Sequence, residues 1–127
     1  MALDTCHFGI HVHSIEEARA FYVDVLGFEL LQHMPALRLM AVRVGDVRLS
    51  MIADVANGEA ESAARAGGSI IFRTDSLERT TEALRARGVT VPAIAEAPGF
   101  MRFLTLRDPS GNLVQIAEYL RDPLVPV

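Results

Sequence analysis

Three histidines near the start of the chain have the spacing of side chains on one face of a strand. His7, His11 and His13 are separated by even numbers of residues, and Gly9 shares their phase. The residues between them are Phe8, Ile10 and Val12. This alternation predicts a half-buried strand with the histidines on its polar face. Because imidazole titrates near neutral pH, such a face suits metal binding, proton transfer or hydrogen bonding to a small molecule.

Strand geometry limits a metal site built from these histidines. His7 and His11 lie about 13 Å apart along an extended strand, too far to share one ion. His11 and His13 lie about 7 Å apart, so both could reach one metal. They would still need a third ligand, such as Asp75 or His33.

Acid–base catalysis without a metal is a second reading of the same strand. His7 or His11 is the candidate general base of a lyase, isomerase or cyclase. The sequence identifies no second catalytic group, and we expect His13, at the strand end, to be solvated.

Arginines on strand-like segments offer anion recognition. Most are expected on solvent-facing sides of a sheet, but Arg73 shares the phase of Ser69 and is a candidate to clamp a carboxylate or phosphate. The other arginines of this kind are Arg38, Arg43, Arg48, Arg102 and Arg107.

The elements that position these residues occur twice. Strand-like segments at 6–13, 28–33, 37–44 and 47–53 enclose one helical segment, which begins with a Ser14–Glu17 capping box and ends at Gly27. Gly45-Asp46 predicts a type II′ hairpin turn. After a linker at 55–68, strands near 69–74, 89–95, 101–107 and 112–119 surround a helix from Ser76 to Arg87. An offset of 62 positions aligns the element boundaries, which favours an internal repeat. Only Ser14/Ser76 and Glu16/Glu78 are identical between 7–22 and 69–84, so the alternative is an ordinary α+β domain whose halves are alike by chance.

Composition excludes several classes of protein. The chain has 127 residues, half of them hydrophobic, which is enough for a single domain with a real core. A net charge of −4 without basic clusters argues against nucleic-acid binding. No apolar segment is long enough to cross a membrane. The single cysteine, Cys6, and the absence of a signal-like N-terminus predict a cytoplasmic protein.

Both ends of the chain resemble the vicinal oxygen chelate superfamily, which includes glyoxalase I, bleomycin- and fosfomycin-resistance proteins and extradiol dioxygenases. The resemblance rests on His7–Val12, Phe21-Tyr22, Leu26-Gly27-Phe28 and Asp108-Pro109-Ser110-Gly111-Asn112, and it covers about residues 6–120. It implies an α+β fold in which two βαβββ modules form a half-open cup around a ligand. The modules span about 6–54 and 69–120, followed by a tail at 121–127. The resemblance also implies a homodimer, with modules paired within or between chains.

The resemblance implies four metal-ligand positions, usually two His and two Glu. Here they fall on His7, Ser50, Ser69 and Gln115, so His7 is the only matching ligand. Two hydroxyls and an amide give almost no charge compensation for a divalent ion. We therefore expect no metal and no other cofactor.

The predicted function is binding of a small organic molecule, as in a bleomycin-resistance type of sequestration protein. The expected ligand-binding residues are His7, His11, His13, Ser50, Ser69, Arg73 and Gln115. The absence of Trp weakens a role in stacking large planar drugs. The alternatives are a metal-free enzyme using His7 or His11, a metal-dependent glyoxalase or dioxygenase-type enzyme, and an accessory module whose cup is vestigial.

Overall fold

The computed structural model describes residues 6–53 and 69–126, and the predicted linker at 55–68 lies outside them. The elements of the first part, in chain order, are β1 (Phe8–Val12), α1 (Ile15–Arg19), a π-helical segment (Ala20–Val25), β2 (Glu29–Met34), a 3-10 turn (Pro35–Leu37), β3 (Leu39–Val44) and β4 (Val47–Ala53). Those of the second part are β5 (Ser69–Arg73), α2 (Leu77–Ala86), β6 (Ala95–Ala97), β7 (Met101–Arg107) and β8 (Leu113–Tyr119).

The described strands form two sheets with the same connectivity. The first sheet has the order β1-β4-β3-β2 and the second the order β5-β8-β7-β6. In each sheet the first strand pairs in parallel with the last, and the other neighbours are antiparallel. The α+β fold class with two βαβββ modules is therefore confirmed. No helix in the described part of the chain is long and apolar enough to cross a membrane.

The chain divides into two compact units. Residues 6–53 belong to the first unit together with the loop Asp108–Asn112. The second unit contains residues 69–107 and 113–126. The loop joining β7 to β8 therefore belongs to the first unit although the strands that it joins belong to the second.

The core of the first unit lies between α1 and one face of its sheet. Alternate residues of β1, β3 and β4 are buried on that face, where α1 packs on β3 and β4. They are Val12, Met40, Val42, Leu49 and Met51, each at most 3% exposed. Tyr22 in the π-helical segment is also fully buried and contacts Phe21 edge-on at 4.9 Å between ring centroids.

The first helix differs from its prediction in two respects. Ser14 accepts a hydrogen bond from the Glu17 amide at 3.3 Å, as predicted, but its hydroxyl donates to the Glu16 carboxylate rather than joining a reciprocal box with the Glu17 side chain. The α-helix gives way to a π-helical segment after Arg19, with the Leu26 amide donating to the Phe21 carbonyl five residues back. The predicted end at Gly27 agrees with its φ of +80°.

Two strand predictions were wrong in their bounds. The strand placed near 89–95 lies at Ala95–Ala97 instead, so it shares only Ala95 with the predicted segment. The strand placed at 37–44 begins at Leu39, after the 3-10 turn and Arg38, whose φ is +55°. The Gly45-Asp46 turn agrees with type II′, since φ is positive at Gly45 and not at Asp46.

The loop Asp108–Asn112 closes the first unit through a buried carboxylate. Asp108 accepts hydrogen bonds from the Tyr22 hydroxyl at 2.8 Å and from the Ser110 and Asn112 amides at 2.9 and 2.8 Å. The Asn112 side chain donates both to Asp108 and to the carbonyl of His11. The Ser110 hydroxyl accepts from the His13 amide at 2.7 Å. These bonds join the loop to the strand and the helix that open the chain.

The second unit has an apolar core and an ion-pair network on the same side of its sheet. Phe72, Leu104, Val114 and Ile116 are buried, and α2 packs on β8. At the end of this face Arg102 binds Glu78 of α2 at 2.6 Å and Glu118 of β8 at 2.9 Å. The hydrogen bond from Arg102 lowers the pKa of Glu78. This network joins the helix to the sheet through charge as well as apolar contact.

Candidate functional site

The face of the first sheet that points away from α1 carries two of the predicted site residues of that unit, His11 and Ser50. We call it the open face. By strand register its residues are Gly9 and His11 on β1, Glu29, Gln32 and Met34 on β2, Leu39, Ala41 and Arg43 on β3, and Arg48, Ser50 and Ile52 on β4. The predicted alternation of β1 therefore holds, with His11 exposed and Val12 buried on the opposite face.

A row of small and polar residues crosses the middle of the open face. Gly9 is level with Ser50, Ser50 with Ala41, and Ala41 with Gln32. A Cβ atom added at Gly9 would meet nothing within 4 Å. Because Gly9 has no side chain, the open face has unfilled space at this end of the row, beside Ser50.

The arginine on β4 is held across this row by two neutral partners. Arg48 donates from Nε to the Ser50 hydroxyl at 3.0 Å and from Nη2 to the side-chain oxygen of Gln32. Gln32 lies two strands away, so the Arg48 side chain must cross β3 at Ala41. Ala41 is accordingly 0% exposed although it lies on the open face. These contacts hold the guanidinium in one orientation.

Apolar side chains line the next row of the open face. Ile52 is level with both His11 and Leu39, and Leu39 is level with Met34. Ile52 is 45% exposed and Met34 39% exposed. The face thus combines a cationic group and an apolar surface on either side of the small-residue row.

The remaining charges on this face are paired with each other. Arg43, level with Arg48, binds the Glu29 carboxylate at 2.9 Å. Since Glu29 and Arg43 neutralise each other, Arg48 gives the open face a net positive charge.

The histidines are exposed and are not brought together with acid–base partners. Within residues 6–53 and 69–126, the ring nitrogens of His7, His11 and His13 have no hydrogen-bond partner. His33, proposed as a third metal ligand, is level with Met40 on the opposite face from His11, and its Nδ1 lies 3.2 Å from Nη1 of Arg19. In these ranges no three His, Cys, Asp or Glu side chains are grouped closely enough to hold an ion.

The second sheet also has a face that points away from its helix. Ser69, Ile71 and Arg73 of β5 lie on it, level with Leu113, Gln115 and Ala117 of β8, as the alternation predicted. Gln115 donates to the Thr105 hydroxyl at 3.4 Å. Arg73 pairs with Asp75 at 3.0 Å, with both side chains mostly exposed. The carboxylate that Arg73 was expected to clamp in a ligand is therefore present in its own chain.

Sequence reasoning missed Gln32 and left Arg48 among the solvent-facing arginines. Strict alternation along β2 places Leu31 on the face of Glu29, but a bulge between Leu30 and Gln32 shifts the register. Gln32 therefore joins Glu29 on the open face. For Arg48, the i, i+2 spacing to Ser50 was a usable signal, because it predicts a shared face.

Comparison with known proteins identifies the family of this fold. A family model described as the Glyoxalase/Bleomycin resistance protein/Dioxygenase superfamily matches residues 6–116. The chain belongs to this superfamily. This is the group that the two ends of the sequence resemble. A search of curated proteins returned no match.

Solved structures of other superfamily members match most of the chain. An antibiotic binding protein from Streptomyces sp. CB03234, TnmS3, is 25% identical with a TM-score of 0.76, covering 94% of this chain and 98% of its own. A glyoxalase/bleomycin resistance protein from the same organism is 25% identical with a TM-score of 0.67, covering 89% and 98%. A lactoylglutathione lyase from Agrobacterium tumefaciens is 21% identical with a TM-score of 0.72, covering 93% and 95%, and supports the fold alone.

The metal site that some superfamily members carry does not fit the residues present here. In the first unit, the Ser50 position faces the Arg48 guanidinium at 3.0 Å, and a fixed positive charge repels a divalent cation. Extending the register of β1 and β4 by one residue places Arg48, not Ser50, level with His7. In the second unit, Ser69 and Gln115 offer only a hydroxyl and an amide, which are weak ligands for transition metals. No step through a metal follows from these donors.

Proposed function

We propose that this superfamily member binds a small organic molecule on its open sheet faces without a metal ion and sequesters it. The observation that carries the proposal is the Arg48–Ser50 hydrogen bond, which fills a metal-ligand position with a cationic group. A mixed surface of this kind, with a few polar groups beside apolar side chains, suits recognition of a partly polar ligand. The ligand-binding residues proposed are His7, His11, His13, Ser50, Ser69, Arg73 and Gln115.

Similarity to a binding protein supports sequestration over catalysis. TnmS3, matched over nearly its whole length, is an antibiotic binding protein. A general base needs a partner that orients its ring and a second group that completes proton transfer. His7 and His11 have no such partner among the described residues, so the metal-free lyase, isomerase or cyclase remains the alternative without a supporting contact.

The proposal includes a cytoplasmic homodimer. Exposed, unpaired Cys6 suits a reducing compartment. The apolar side chains of Phe8 and Ile71 are 57% and 46% exposed on the first strands of the two sheets, which favours burial against a second copy. Light scattering of the purified protein tests this directly, and a monomeric mass at micromolar concentration would remove the dimer from the proposal.

Metal content and thermal unfolding test the metal-free site. The purified, untagged protein is analysed for bound metal and then heated with Mn²⁺, Ni²⁺, Zn²⁺, Fe²⁺ or EDTA. We expect substoichiometric metal and a Tm unchanged within about 1 °C, because an ion bound only to the native state must raise Tm. Near-stoichiometric metal, or a stabilisation abolished by His7→Ala, would contradict the proposal.

A thermal-shift screen of small organic molecules tests the binding function. A ligand at 100 times its Kd adds about 2.7 kcal/mol to the stability of the native protein. Mass spectrometry of the recovered ligand then separates the alternatives. An unchanged ligand supports sequestration, whereas a product that disappears with His7→Ala or His11→Ala establishes the metal-free enzyme. A screen without any stabilising compound would argue for a vestigial site.

A further inference from the structure

Arg48 has only neutral hydrogen-bond partners in the described part of the chain. Arg43, Arg73 and Arg102 each bind a carboxylate. Arg48 instead donates to the hydroxyl of Ser50 and the amide oxygen of Gln32, so its charge is not compensated within the described residues. A half-buried guanidinium held by neutral acceptors retains its full attraction for an external anion.

The orientation of Arg48 leaves donors available to a ligand. A guanidinium has five N–H groups in a fixed planar fork, and the two contacts use one on Nε and one on Nη2. The other three, two on Nη1 and one on Nη2, have no partner among residues 6–53 and 69–126. Because the side chain is already fixed by Ser50 and Gln32, binding an anion costs little further rotamer entropy.

The surroundings of Arg48 determine the rest of the ligand. The small-residue row leaves space at Gly9, and beyond it lie the apolar side chains of Ile52, Leu39 and Met34. A ligand that spans this face meets the guanidinium at one end and an apolar surface at the other.

We propose that the open face recognises an organic anion, in which a carboxylate, sulfonate or similar oxyanion pairs with Arg48 and an apolar body lies on Ile52 and Met34. The inference rests on the proposed function and specifies its ligand class. The net charge of −4 means that the recognition is local, because the protein as a whole does not attract anions.

A matched pair of fluorescent probes tests this inference. Anilinonaphthalene sulfonate and N-phenylnaphthylamine share the same aromatic body, and only the first carries an anion. Their Kd values are measured by fluorescence titration on the wild type, Arg48→Met and Gln32→Leu. Arg85→Met, which removes an exposed positive charge on α2, is the control for net charge.

We expect Arg48→Met to weaken sulfonate binding about 10-fold, as the loss of one charged hydrogen-bonded pair implies, and to change binding of the neutral probe less than about 2-fold. Gln32→Leu is expected to give a smaller loss, because the charge remains but its orientation is freed. Arg85→Met is expected to leave both Kd values unchanged. Should Arg48→Met lower Tm markedly, Arg48→Lys replaces it and keeps the charge without the planar fork.

Several results would overturn the inference. An equal increase in the Kd values of both probes in the Arg48 variant would show that the side chain acts only through packing. An unchanged sulfonate Kd, or equal losses in the Arg48 and Arg85 variants, would remove the specific pairing. A wild type that binds neither probe would contradict an apolar surface beside an available guanidinium. The proposed function is tested separately by the compound screen. An uncharged ligand found there would support small-molecule binding but contradict the inference that the ligand is an anion.

Discussion

Replacing Tyr22 with Phe removes one oxygen atom from the interior of the first unit and leaves the ring in place. The hydroxyl donates at 2.8 Å to Asp108, which is 4% exposed, and the ring packs edge-on against Phe21. Asp108 keeps its donors from Ser110 and Asn112, so the carboxylate is not left without partners. A hydrogen bond to a charged group contributes about 1.5–3 kcal/mol. We expect that loss in the free energy of unfolding, equivalent to roughly 5–12 °C in Tm for a chain of this size.

The pH dependence separates the hydrogen bond from a packing effect. Burial, the charge of Asp108 and the hydrogen bond raise the pKa of Tyr22 above its usual value. The folded protein therefore keeps the phenol proton at pH values where the unfolded chain loses it, above about 10. The stability contributed by Tyr22 is complete below that pH and falls by about 1.4 kcal/mol per pH unit above it. The difference in the free energy of unfolding between wild type and Tyr22→Phe should therefore become smaller as the pH rises above about 10.

Urea unfolding followed by circular dichroism at pH 7, 9, 10 and 11 measures both effects. Tyr119→Phe is the control, since Tyr119 is half-buried, packs edge-on against Phe100 at 5.5 Å and has no hydrogen bond from its hydroxyl among the described residues. We expect this control to change stability by less than about 0.5 kcal/mol at pH 7. A Tyr22→Phe variant as stable as the wild type at pH 7, or a gap that stays constant from pH 9 to 11, would refute the reasoning.

Three further predictions concern a turn, the open face and the ion-pair network. Gly111 has a φ of +89° with open space around it, so Gly111→Ala should cost about 1–2 kcal/mol through backbone strain alone, measured by urea unfolding. Gly9→Leu should reduce sulfonate-probe binding at least about 10-fold without lowering Tm, because the added side chain fills the space beside Ser50; unchanged binding would exclude this row as the site. Arg102→Met should lower Tm at pH 7 but less at pH 3. Because Arg102 lowers the pKa of Glu78, the ion pair stabilises the protein above pH 4 to 5, and this stability is lost as the carboxylate is protonated at lower pH. An equal loss at both pH values would assign the effect of Arg102 to packing.

Most of the fold was predictable because its signals are local. The strand at Phe8–Val12 and the turn at Gly45 depend on residues that are neighbours in sequence, and both are present, although Phe8 on the apolar side of the strand is exposed. The strand Met101–Arg107 has the bounds that the sequence predicted. The π-helical segment has no comparable signal, because the residues Ala20–Val25 keep the same apolar spacing in an α- or a π-helix.

The candidate site was less predictable because its contacts join separate strands. The Arg48–Gln32 hydrogen bond depends on the bulge at Leu31, which changes the face of every later residue in β2. The Tyr22–Asp108 contact joins residues 86 positions apart, and the sequence marks the loop only as a turn. The identities at Ser50, Ser69 and Gln115 were informative without structure, because donor chemistry is a property of the residue type.

Because the loop Asp108–Asn112 lies late in the chain, the first unit is completed late during synthesis of the protein. The Tyr22 hydroxyl and the His13 amide find their partners in a segment that follows them by 86 and 97 residues. At translation rates of 5–20 residues per second, Tyr22 and His13 are synthesised roughly 4–20 s before their hydrogen-bond partners in this loop. During that interval a nascent first module lacks the hydrogen-bond partners of a phenol and an amide that are paired in the finished protein. A gene fragment ending before β5 would therefore encode an incomplete unit, and supplying residues 69–127 as a separate polypeptide should restore its stability in a split-protein assay.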